Sequence, residues 1–157
     1  MLDERVQPEL RDLRFPALLL TKSTVRVYPD PEALTAAWKK AVDRMRFNDA
    51  LLVDSAGRAR KVRTVRVLGN IGPFFGFDLY GNRSVRIAYE FAGDWERVDL
   101  DAVRSSVVRQ WRRPEFEGDV DPRYAKAYEH RLQQAADARS LIAALAEQYT
   151  ASLERTR

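Results

Sequence analysis

The 157-residue chain predicts an α+β domain. Its expected form is an antiparallel sheet of about four or five strands, covered on one face by two or three helices and ending in a long C-terminal helix. Three observations carry this. Ser84 to Phe91 alternates without fault, with Val85, Ile87, Tyr89 and Phe91 on one side and Arg86, Ala88 and Glu90 on the other, the period of a half-buried strand. Asp30-Pro31 and Asp121-Pro122 each set an N-cap before a proline in the first helical turn. Apolar residues recur at helical spacing after both.

The first strand signals are Leu18-Leu19-Leu20 and the alternating Thr24-Val25-Arg26-Val27-Tyr28. A helix from Pro31 to about Phe47 is expected next, with Leu34, Trp38, Ala41, Val42 and Met45 on its inner face. Ala50 to Val53 then reads as a short strand, closed by Asp54-Ser55-Ala56-Gly57, which suits a tight turn with glycine in the left-handed position. The return strand from Arg58 towards Leu68 slips out of alternation around Arg60, Lys61 and Arg63, which predicts a bulge near Lys61. Past the strand Ser84 to Phe91, Asp99-Leu100-Asp101 opens a helix to about Arg113. Its inner stripe is Leu100, Val103, Val107, Val108 and Trp111, and its outer face carries Arg104, Arg109, Arg112 and Arg113. The last helix is expected over residues 122–149, with an interruption of its stripe at Asp137 to Ser140. Residues 1–14 and 150–157 read as a loose lead-in and a tail of one domain spanning 1–157.

Composition narrows the chemistry. There is no cysteine and one histidine, His130, so thiol catalysis, disulfides and Cys- or His-based metal sites lack their residues. His130 reads as a solvated helix histidine. No metal and no cofactor is expected. Glu115 to Asp121 alternates carboxylates but lacks the order of an EF-hand loop, and reads as a solvated connection or a docking strip for a basic partner. With no apolar leader in the first residues and no long apolar stretch, a cytoplasmic location without membrane contact is expected. The net charge is +4 and the pI ≈ 9.6, with both signs scattered along the chain.

Two segments stand out as candidate binding residues. The loop 69–82 holds four glycines and the aromatics Phe74, Phe75, Phe77 and Tyr80. It fits neither a P-loop nor a dinucleotide fingerprint, because it leads into a strand. It reads as a wide hairpin with its rings in the core, or as a loop that offers those rings to a partner. On the strand before it, Arg58, Arg60, Arg63 and Arg66 form a cationic row that would steer an acidic partner, with the aromatics expected on the opposite, core-facing side.

The order of elements, carried by Val25 to Tyr28, Leu52 to Gly57 and Leu100 to Val107 across roughly residues 20–113, resembles small cytoplasmic immunity proteins of bacterial polymorphic-toxin systems. The resemblance implies a non-enzymatic protein that covers a cognate toxin stoichiometrically, and it carries over no individual residue. The expected partner is therefore another protein, with a nucleic acid on the basic sheet face as the alternative.

Overall fold

A computed structural model of the chain describes residues 7–22, 24–72, 76, 83–111 and 122–155. Six strands build one antiparallel sheet: β1 (Ala17–Leu20), β2 (Val25–Tyr28), β3 (Ala36–Trp38), β4 (Leu51–Val53), β5 (Arg58–Asn70) and β6 (Ser84–Arg97), in the order β2-β1-β4-β5-β6-β3. Five α-helices accompany them: α1 (Pro31–Leu34), α2 (Lys39–Asp43), α3 (Leu100–Trp111), α4 (Pro122–Gln134) and α5 (Ala138–Arg155). The α+β class holds, with one or two strands more than expected.

The sheet is covered on both faces rather than one. All four residues of β1 are buried, because an unbroken apolar run has no solvent side. Leu18 and Leu20, with Val53 and Ala59, meet Val103 and Val107 of α3, Leu132 of α4, and Leu141 and Ile142 of α5. Ala17 and Leu19, with Leu52, Val62, Val85, Ile87 and Tyr89, form a second cluster with Leu10, Leu13, Leu34 and Phe47. Leu10 and Leu13 are thus core residues, so the described part of the lead-in is packed rather than loose.

The single helix expected over Pro31 to Phe47 is the largest departure. Its start is as predicted: the Asp30 carboxylate accepts from the Ala33 N–H at 2.7 Å. Four residues later the Thr35 hydroxyl turns back to the Pro31 carbonyl, and Ala36 to Trp38 leave the helix to pair with Arg86 to Ser84. A sheet edge on β6 offers three residues a ladder that helical periodicity cannot anticipate. Trp38 and Met45, expected inside, are 48% and 68% exposed.

Beyond β3 the free edge of β6 is closed by a side chain. The Gln7 amide donates to the Tyr89 carbonyl and its Oε1 accepts from the Tyr89 N–H at 2.8 Å, standing in for a strand residue. The Tyr89 hydroxyl donates to the Leu34 carbonyl at 2.9 Å. Burial, aided by Tyr28 and opposed by Arg26, pushes that hydroxyl's pKa well above its ordinary value and keeps it a donor.

On the helical side, Asp99 caps α3 through the Asp101 and Ala102 N–H groups. Arg104 is not on a solvated outer face: it pairs with Asp101 at 2.7 Å and donates to the Ala135 carbonyl, tying α3 to the end of α4. Arg109 is exposed as expected, and Arg112 and Arg113 lie outside the described residues. The interruption expected at Asp137 is a true break between α4 and α5, and α5 continues to Arg155 where a tail was expected.

Candidate partner-binding surface

The turn that launches β5 is built around one carboxylate. Asp54, 0% exposed, accepts from the backbone N–H of Ala56 and of Arg58 through Oδ1. Through Oδ2 it takes Arg58 Nε at 3.0 Å and a second guanidinium nitrogen at 2.7 Å. Gly57 sits at φ +84°, the left-handed conformation the turn requires. The hairpin and its glycine are as the sequence predicts.

Along β5 the pairing with β6 slips three times, between Ala59 and Lys61, between Val62 and Thr64, and between Val67 and Gly69. The first slip adds residues to β6 around Gly93, at φ +70°. The other two leave Arg63 and Leu68 as extra residues on β5, opposite Glu90 and Arg86. The bulge at Arg63 shifts the side-chain alternation of β5 by one, which puts Arg66 on the face opposite Arg58 and Arg60, so the cationic row does not share a face.

Arg58 and Arg60 lie on the face of Leu52 and Val62. Arg60 donates to the Gly93 carbonyl at 2.8 Å with its guanidinium 4.6 Å from the centre of the Phe91 ring, and Arg58 lies 5.3 Å from Trp95. The aromatics of this arm therefore stand with these two cations, not on the opposite side. Arg58 and Arg60 each already hold acceptors and a ring within the fold. Arg63 lies on the other face by simple alternation, and the bulge brings Arg66 to the same side. Arg63, 71% exposed, has Glu90 at 3.6 Å, Arg66 is exposed, and Lys61, also exposed, has Asp49 at 3.2 Å.

That second face is the one α3, α4 and α5 cover over β2, β1, β4 and the start of β5. Past Ala59 it changes character: Lys61, Arg63, Thr64, Arg66, Leu68 and, on β6, Arg86 and Ala88 belong to neither core cluster, and all are exposed or half-buried. Leu68 is 55% exposed and Trp38, at the far edge, 48%. Arg86 is held by the Glu32 carbonyl at 3.1 Å and the Thr35 hydroxyl at 3.0 Å. At the boundary with the helices lies a cavity of about 510 Å³, floored by Leu20, Leu51, Ala59 and Val103 and edged by Lys61, Glu96 and Asp99. The surface joins an apolar recess to a strip of cations.

Phe74, Phe75, Phe77 and Tyr80 lie outside the described residues, as does the acidic segment 115–121. His130 is an exposed residue of α4. Among the described residues no cluster of His, Asp or Glu could hold a metal ion, and no helix is long and apolar enough to cross a membrane. No family model, curated protein or solved structure matches the chain.

Proposed function

We propose that this chain is a non-enzymatic protein-binding domain that covers an acidic surface of its partner with the open half of its sheet, acting as a cytoplasmic immunity protein that neutralises a toxin by occlusion. The observation that carries the reading is the strip Lys61, Arg63 and Arg66, set beside Leu68 and the apolar recess, with Arg66 brought to this face by the bulge at Arg63. The acids now beside Lys61 and Arg63 are exposed, and such pairs are worth about 0–1 kcal/mol, so a partner's carboxylates replace them at little cost. A phosphate backbone is the poorer fit, because Phe91 and Trp95 stand on the other face, away from any base to be stacked.

The test is a tagged capture from the native host lysate, run with and without nuclease, using the parent chain and the Arg63→Ala/Arg66→Ala double variant. One dominant protein at near-equal stoichiometry is expected, resistant to nuclease and lost with the double variant while the melting temperature stays unchanged. Nucleic-acid-dependent capture, or a partner retained at full strength by the double variant, overturns the proposal.

A further inference from the structure

A different part of the molecule holds a second feature, independent of the open sheet face. Arg11, Arg14 and Arg58 line one polar cavity of about 360 Å³ with Asp12 and Ala56. Its walls come from segments more than forty residues apart in sequence, fastened at Asp54. The Arg14 N–H donates to Asp54 Oδ2 at 3.5 Å, the Arg14 carbonyl accepts from the Ser55 N–H at 2.9 Å, and one Arg58 nitrogen donates to both Asp54 and the Asp12 carbonyl. The backbone under Arg11 is held as well, its N–H donating to the Pro8 carbonyl at 3.2 Å.

The three guanidinium groups differ in what they have to satisfy them. Arg58 is neutralised by the buried Asp54 and braced by Trp95, which fixes its fork. Arg11 and Arg14 are exposed, and among the described residues their side chains have no carboxylate or carbonyl partner. The exposed guanidinium groups of Arg11 and Arg14 each offer paired N–H donors that match oxygens on one phosphorus, while Arg58, whose Nε and one terminal nitrogen are taken by Asp54 and the Asp12 carbonyl, has its other terminal nitrogen to add. The Asp12 carboxylate on the same wall repels any anion in proportion to its charge. It weakens the site without choosing between ligand charges, and the preference for a phosphoryl group rests on the fork geometry of the arginines. The volume is near the lower end of small-ligand sites, about 300 Å³, enough for one or two phosphoryl groups rather than a nucleic-acid strand.

We infer that Arg11, Arg14 and Arg58 form a binding site for the phosphoryl or diphosphoryl group of a small molecule. Calorimetric titration of the full chain with pyrophosphate, inorganic phosphate and sulfate at constant ionic strength tests it. Saturable one-to-one binding is expected, tighter for pyrophosphate than for phosphate. The Arg11→Ala/Arg14→Ala double variant should weaken it at least about tenfold with an unchanged melting temperature, and Arg66→Ala should leave it intact. Absence of saturable pyrophosphate binding, sulfate bound as tightly as pyrophosphate, or a double variant that binds like the parent would each overturn the site.

Discussion

Asp54 shows how much of a fold can hang on one side chain. Its carboxylate is fully buried and satisfies three backbone N–H groups and the Arg58 guanidinium, so removing it orphans all of them together. Asp54→Ala should destabilise the domain by about 3 kcal/mol, as loss of one partner of a buried pair does, read as a lowered urea midpoint. A loss under about 1 kcal/mol would mean that water replaces the carboxylate and that the turn stands by itself. The Asp-Ser-Ala-Gly turn was legible because turn chemistry is local. Gln7 was not: its amide serves Tyr89, 82 residues away, and nothing in the residues around Gln7 marks it as the closing piece of a sheet edge. Arg60 misled for the same reason, since its Phe91 and Gly93 partners lie on another strand.

At the scale of elements, the signals that survived were those with no competing partner. β6 alternates over Ser84 to Phe91 as its residues dictate, whereas Ala36 to Trp38 exchanged a helix for the ladder that β6 offered. The bulge expected near Lys61 exists in kind, but period two alone would place Arg58, Arg60 and Arg66 together, and only the pairing register reveals that Arg66 has crossed to the other face. The break between α4 and α5 was readable because the apolar stripe lapses over Asp137 to Ser140, and in the structure Asp137 caps the helix that follows. Its carboxylate accepts from the Ser140 N–H at 2.7 Å, and that bond first, then one from the Ser140 side chain, with Arg139 assisting, holds its pKa below the ordinary value. A depressed carboxyl pKa adds stability above the unfolded-state value, and that stability is lost as pH falls through the folded-state value. Asp137→Asn keeps the cap without the titration. The parent chain should therefore melt at or above the variant at neutral pH and lose that advantage below the ordinary carboxyl range, a crossing visible in parallel thermal melts. A pH-independent difference would assign the break to packing alone.

The whole molecule rests on a sheet shared by two clusters, and the sharing is written residue by residue. Leu18 enters the helical cluster and Leu19 the other; Leu52 and Val53 divide the same way on the adjacent strand. The unbroken apolar run of β1 was the signal that both faces would be covered, because a one-sided sheet has no use for Leu19 beside Leu18 and Leu20. Neither cluster can lose its strands without stripping the other, so the two must unfold together. Leu19→Ala and Leu132→Ala, one in each cluster and both essentially buried, should each cost about 3 kcal/mol. In each variant far-UV circular dichroism and tryptophan fluorescence should report one coincident urea transition with an unchanged slope. Separated transitions in either variant would mean that the helical layer peels from the sheet alone. The open face beyond Ala59 would then be read as the edge of a detachable cap, and its cations as residues that layer leaves behind.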